Sequence, residues 1–319
     1  MRFDLVTTGR ISADLYPTEA GSLVDVVGFE KSLGGTATNV AVAASRLGLS
    51  TAVVTKVGVD RLGEYCRAAL ERFGVSTAFV GVDSDHLTPV VFAELDPPED
   101  PALFFYREPT APDLQLVPDD FPDALVREAG IFWITGTSFS AEPSRTAVLD
   151  ALRRRGRVET PRETILDLDF RPMFWSGRAD ATREIGGALE HATIAVGNRT
   201  EVAVALGRER IDDPAEAAGA LLDRGVELAI VKLGGDGVHV AGRGVEAVVE
   251  PTPVTVVCGL GAGDAFGGAL CHALASGLGP AEAVRRANAA GAIVAGRLAC
   301  ADAMPTIDEL ESHVEAHAH

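Results

Sequence analysis

The sequence predicts a doubly wound α/β domain, a mostly parallel sheet with helices on both faces, carrying a small additional β-sheet. Three observations point to it. From about Gly130 onward short apolar runs alternate with helical patterns, and two earlier stretches break that rhythm with extended segments around turns. A glycine-rich loop then joins a β-branched run to a helical pattern within VTVVCGLGAGDAFGGAL, residues 254–270. Alternation of this kind is how a parallel sheet covered on both faces is written.

Taken in order, MRFDLVTTGRISADLYP has a short apolar stretch broken by Asp4, Arg10 and Asp14, which reads as a first strand rather than a secretion signal. Residues 10–33 and TPVVFAELDPPEDPALFFYRE (88–108) read as extended, with Pro97, Pro98 and Pro101 marking the reversal in the second. Inserted between α/β units, these segments could form a small projecting sheet, and over a cleft such a sheet would be a lid. GIFWITG, SRTAVLDALRRRG, TILDLDF, ATREIGGALEHA, TIAVGN and EVAVALG then alternate strand and helix. Arg153, Arg154, Arg155 and Arg157 close one of these helices around Gly156, where cations complement the helix dipole. Val254 to Val257 read as the end of a strand, and AFGGALCHALASG as the helix after it. In the tail, His313 and His317 stand four apart, a metal-binding spacing, though a frayed, solvated terminus is the simpler reading.

The 319 residues, 47% of them hydrophobic, are expected to form a single domain over 1–319. With 46 acidic against 28 basic residues the net charge is −18, which argues against broad attraction to nucleic acid or an anionic membrane surface. No run of about 18 apolar residues suggests a membrane span. Cys66, Cys258, Cys271 and Cys300 lie far apart without a CxxC pair, so neither a structural zinc site nor a disulfide framework is expected, and a reducing cytoplasm is the simplest setting.

The glycine loop carries the chemistry. Gly261, Ala262 and Gly263 would present unpaired amides at a helix N-terminus, where small residues and the helix dipole favour an anion. Asp264 beside them would repel that anion, unless it serves as a general base for an attacking hydroxyl while the loop stabilises a transferred phosphoryl group. The plainer alternative is that Asp264 caps the first turn and the glycines allow tight packing. The loop matches neither GxxxxGK[ST] nor GxGxxG followed by an acidic ribose binder.

SLGGTATNVAVAASRLG (32–48) and GLGAGDAFGGAL (259–270) resemble the two signatures of the ribokinase, or PfkB, family of carbohydrate kinases, and the resemblance runs nearly end to end. It implies a ribokinase-like fold, ATP as phosphoryl donor, Mg2+ as cofactor and a small sugar as acceptor. Asp14, Gly34, Gly35 and Asn39 would then bind substrate hydroxyls. Asn198 and Glu201 of GNRTE match a motif that organises magnesium and phosphates, often through water; an ordinary helix cap is the competing reading. Lys232, Gly234 and Gly237 of VKLGGDG, with Asn288 of RRANAAGAIVA, match positions flanking the nucleotide.

Related kinases of keto-deoxy sugar acids carry arginines corresponding to Arg107 in FFYRE and Arg171 in DLDFRPMFW. A guanidinium grips a carboxylate bidentately, so a sugar acid is a better acceptor than a neutral sugar; phosphate binding by Arg171, or structural ion pairs, are the alternatives. Another sugar acid, a fructokinase-like substrate and a non-catalytic sensor all remain open. Two departures from the family stand out. Cys258 and Gly259 replace the usual Asp and Thr, which leaves a potassium-activation site of the usual kind in question. Asp169 replaces a frequent asparagine, adding negative charge that magnesium could offset. Apolar residues on the lid could pair two subunits.

Overall fold

The computed structural model describes residues 2–19, 21–97 and 101–317; Pro98 lies outside the described residues. β1 (Leu5–Thr8) leads into β2 (Ser12–Pro17) and β3 (Phe29–Gly34), followed by α1 (Thr36–Arg46), β4 (Thr51–Gly58), α2 (Arg61–Arg72) and β5 (Val80–Asp83). β6 (Val90–Glu94) and β7 (Ala102–Tyr106) precede α3 (Asp123–Glu128), β8 (Ile131–Thr135), α4 (Ser144–Arg155) and β9 (Glu163–Asp167). Next come α5 (Arg178–Ala188), β10 (Ile194–Asn198), α6 (Arg199–Ala205), α7 (Pro214–Leu222) and β11 (Leu228–Lys232). β12 (Val238–Gly242), β13 (Val245–Val249), α8 (Ala262–Ala275), α9 (Pro280–Ala295) and α10 (Ile307–Ala316) complete the fold.

Among the described residues the main sheet has nine strands in the order β13-β12-β11-β10-β9-β8-β1-β4-β5, and the second sheet has four, β3-β2-β6-β7. The main sheet is parallel from β5 to β11, and β12 and β13 add an antiparallel edge. Both its faces are buried, which is why its strands read as continuous apolar runs. Ile131 and Trp133 of β8 join the core beneath α1, α8 and α9, whereas Phe132 and Ile134 join the core beneath α4 to α7.

One close helix contact positions the site. A Cβ at Gly268 of α8 would run into Ala43 of α1, so the absence of a side chain lets these helices approach. Tight packing is therefore part of the role of the GG pair, alongside the chemistry of the loop that precedes it.

Two local expectations are corrected. Val254–Val257 form no strand: Pro251 and Pro253 supply no amide for a ladder, and the amides of Val257 and Cys258 donate instead to the carbonyl of Ala295. The arginines closing α4 do more than complement its dipole. Arg155 is buried, donating from Nε to Thr164 Oγ1 at 2.9 Å and from Nη2 to the Glu163 carbonyl at 2.8 Å. His313 lies within α10, its ring stacked near that of His317.

The second sheet follows the two predicted extended segments. Along β2, Ser12, Asp14 and Tyr16 share one face, as alternation requires, and on β7 Leu103 and Phe105 face inward while Phe104 and Tyr106 are exposed. Among the described residues, no helix is long and apolar enough to cross a membrane.

Candidate active site

β1 lies between β4 and β8, where the strand order reverses, and open α/β sheets bind ligands in the crevice outside the carboxyl ends of strands at such a point. Arg10 follows β1, Asp167 ends β9 with Asp169 and Arg171 just beyond, Asn198 ends β10 and Lys232 ends β11. All six line one cavity of roughly 270 Å³. Asp14 enters it from β2, Gly35 and Asn39 from the start of α1, and Gly261, Gly263 and Asp264 from the start of α8.

Gly261 is the N-cap of α8 at φ +79°, a left-handed conformation that glycine adopts without strain. Ala262, Gly263 and Asp264 form the first helical turn, whose amides have no partner within the helix. The Asp264 carboxylate faces the cavity and accepts a 2.7 Å hydrogen bond from Asn39 Nδ2. Burial pushes its pKa up to about 6, the bond from Asn39 pulling the other way and the nearby Asp169 adding to the rise. A carboxylate so poised takes up a proton readily yet is ionised at neutral pH, as a general base requires.

Asp14 behaves similarly. Burial raises its pKa to about 6 against the opposing hydrogen bond from Ser12, which measures 2.6 Å, and the charge of Arg10. Gly34 is not part of the cavity wall. It packs against Asp14, leaving no room for a Cβ beside that carboxylate, so its lack of a side chain seats Asp14.

The added negative charge of Asp169, which the sequence reading left to magnesium, is offset by protein cations. Burial works to raise its pKa, but the guanidiniums of Arg10 at 2.9 Å and Arg171 at 3.1 Å hold it well below the usual carboxylate range. Asp167 is pushed the other way by burial, with Lys232 opposing the rise. On Lys232 burial disfavours the charge, and Glu201, Asp167 and Asp264 outweigh it, so the ammonium form is favoured.

Asn198 and Glu201 form a reciprocal capping box on α6: Glu201 Oε2 accepts from the Asn198 amide at 2.7 Å, and Asn198 Oδ1 accepts from the Glu201 amide at 3.0 Å. The competing reading of this motif is therefore realised, and both side chains still line the cavity. Among the described residues no three acidic, histidine or cysteine side chains converge as a closed metal cage. Glu201 Oε1, which the cap does not use, and the Asn198 amide oxygen fit magnesium, which keeps several waters and leans on substrate phosphates.

Beside Lys232 and Gly263 the cavity adjoins a mostly apolar slot of roughly 540 Å³, walled by Gly234, Gly237, Val254, Phe266, Asn288 and Ala292. Asn288 Nδ2 donates to the Glu250 carbonyl at 3.0 Å, tying α9 to the loop after β13 that forms one wall. Its size and apolar lining suit a heteroaromatic base.

Arg107 is the clearest departure. Its Nη2 donates to Asp113 Oδ2 at 2.9 Å, its guanidinium lies 4.7 Å from the Phe174 ring centroid, and it is absent from the cavity wall. Sequence reasoning missed Arg10 and Asp167. The signal for Arg10 was available: it follows a first strand by two residues, at the carboxyl end where such folds place ligands. Cys258 is fully buried with its thiol pKa raised by burial, which suits a packing role.

A poised carboxylate, a ring of free amides at a helix start and an adjoining apolar slot define a phosphotransferase acting on an alcohol. The pfkB family carbohydrate kinase model matches residues 2–307. The chain belongs to that family. It is 30% identical over 318 residues to the 5-dehydro-2-deoxygluconokinase of Halalkalibacterium halodurans, covering 98% of this chain and 95% of that one. With the enzyme of the same name from Bacillus subtilis it shares 28% identity, covering 99% and 97%. Among solved structures, fructokinase with bound ATP from Xylella fastidiosa superposes with a TM-score of 0.83 at 25% identity, covering 99% of each chain. A PfkB protein from Polaromonas sp. JS666 matches equally well, at 0.83 and 25%, covering 97% and 99%.

Proposed function

We propose that this kinase transfers the γ-phosphoryl group of ATP to the terminal 6-hydroxyl of 5-dehydro-2-deoxygluconate. The observation that carries the reading is that Asp264, the free amides of α8 and the guanidinium of Arg171 share one cavity. The relatives named for this substrate span nearly the whole chain.

Asp264 accepts the hydroxyl proton as the oxygen forms its bond to phosphorus, and ADP leaves with the electron pair of the broken bond. The amides of Ala262 and Gly263, with Gly261 shaping the turn, stabilise the charge on the moving group. Asp14, Gly35 and Asn39 orient the sugar hydroxyls, while Arg171 faces the carboxylate. Lys232 meets the phosphates, and Gly234, Gly237 and Asn288 flank the base. Asn198 and Glu201 would hold magnesium, directly or through water, and the ion would neutralise phosphate charge. The second sheet acts as a lid that keeps water from the donor, and its exposed Phe104 and Tyr106 give it a surface that could join two subunits. Four free cysteines accord with a cytoplasmic setting.

A coupled ADP assay with MgATP and a panel of 5-dehydro-2-deoxygluconate, 2-keto-3-deoxygluconate and fructose tests this reading. The first is expected to give the highest kcat/KM. Equal or better turnover of fructose would refute the sugar-acid assignment.

A further inference from the structure

Asp169 grips two arginines at once. Its Oδ2 accepts from Arg10 Nη2 at 2.9 Å and from Thr137 Oγ1 at 2.8 Å, and its Oδ1 accepts from Arg171 Nε at 3.1 Å. Arg10 is fixed further by Thr137 through Nε at 3.1 Å and by Thr36 through Nη2 at 2.7 Å. Its guanidinium also lies 5.8 Å and 5.5 Å from the ring centroids of Phe105 and Phe174. Among the described residues, neither Arg10 Nη1 nor either Nη of Arg171 makes a hydrogen bond to protein, and both arginines line the cavity.

Two guanidiniums and one carboxylate leave a single positive charge with unused donors, the requirement for receiving one more carboxylate. Of the remaining wall, Asp14, Glu201 and Asp264 are acidic, and Lys232, its other cation, also lines the adjoining apolar slot. A substrate carboxylate is repelled from those acidic groups.

We propose that Arg10 and Arg171, yoked by Asp169, are the seat of the substrate carboxylate, with Arg10 a specificity-determining residue and Asp169 the positioning residue that fixes the pair. The inference rests on the sugar-acid reading above. It places the acid end of the acceptor at the carboxyl ends of β1 and β9, leaving the hydroxyl end to Asp264. The charge of Asp169 also keeps the arginines from swinging onto the neighbouring carboxylates, where they would be lost to the ligand.

The test compares 5-dehydro-2-deoxygluconate with its carboxamide, the same molecule lacking the charge, using full-length enzyme and MgATP. Wild type is expected to favour the acid through KM, and equal KM values for the two would refute the sugar-acid reading itself. Given that preference, Arg10→Ala is expected to raise KM for the acid roughly 10–100-fold and KM for the carboxamide, which loses only a neutral acceptor's bond, by far less, so that the acid preference collapses. Retained acid preference in a folded Arg10→Ala enzyme overturns the proposal. Should that variant fail to fold, Arg10→Lys keeps the charge without the planar fork and is expected to raise the acid KM to a lesser degree; an unchanged KM overturns the role of Arg10. Asp169→Asn separates geometry from charge. If Asp169 positions the pair, KM for the acid rises at least about fivefold; if only net charge matters, KM falls, and the positioning role is lost.

Discussion

Asn39 Nδ2 donates to Asp264 Oδ2 at 2.7 Å, joining two residues 225 positions apart, one from each signature. The contact exists because Gly268 lets α8 pack closely on α1. The bond fixes the rotamer of the proposed base and favours its ionised form, offsetting part of what burial imposes.

Asp264→Asn is expected to lower kcat on the order of 10²–10⁴-fold, the usual scale for a lost general base, with sugar affinity little changed. It is also expected to stabilise the fold. A carboxylate whose folded pKa of about 6 exceeds its unfolded value costs stability once ionised. That cost is full above pH 6 and fades as the pH falls toward 4, so the variant should gain about 1–3 kcal/mol at pH 7–8 and little near pH 4. Denaturant titrations at the two pH values check the sign, and wild-type turnover by the variant removes the assigned role.

The pH profile follows from the same groups. Asp264 must be ionised to accept a proton, and Asp14 binds hydroxyls best as an acceptor; both have pKa values near 6. kcat/KM should therefore rise with pH through this region, more steeply than for one group, and level off above it. Replacing Asn39 with Ala removes a bond that lowers the Asp264 pKa, so the acidic limb should move to higher pH. A limb that stays put would detach Asn39 from the base.

Much of this site is legible in the sequence because the chemistry sits in contiguous motifs at element boundaries. Asp264 and the preceding glycines announce a helix start, and GNRTE announces a cap. Arg10, Asp167 and the true place of Arg107 are not legible in the same way. Arg10 carries a positional signal two residues past β1, but its partners appear only when β1 is set beside β8 and the loop after β9, and Arg107 is claimed by Asp113 through a turn no periodicity describes. Val254–Val257 mislead because β-branched residues report strand preference while the prolines beside them withhold the ladder.

Gly261→Ala tests the cradle. The residue sits at φ +79°, and a Cβ there would approach Cys300 Sγ to 2.9 Å and its Cα to 3.1 Å, so both backbone and packing resist it. A loss of roughly 1–3 kcal/mol and a fall in kcat are expected together. At Gly263 the nearest atom to an added Cβ is Lys232 Nζ at 3.6 Å, so Gly263→Ala should fold normally and raise KM for ATP by crowding the phosphates. Similar melting temperatures for the two variants would contradict this assignment.

Arg107 was, with Arg171, one of two arginines the resemblance offered as carboxylate ligands, and its variants distinguish that role from its place beside Asp113. Arg107 and Asp113 are 8% and 2% exposed, and Asp113 Oδ1 already lacks a partner. Removing the guanidinium strands a buried carboxylate, a change that typically costs about 3–5 kcal/mol, whereas removing both charges spares that penalty. Arg107→Met should thus lower the melting temperature sharply, and Arg107→Met with Asp113→Leu should recover much of the loss. Because the pair lies outside the cavity wall, the double variant should keep the wild-type KM for the sugar acid. A folded double variant with a tenfold higher KM for the acid, and an unaltered KM for its carboxamide, would return Arg107 to the substrate.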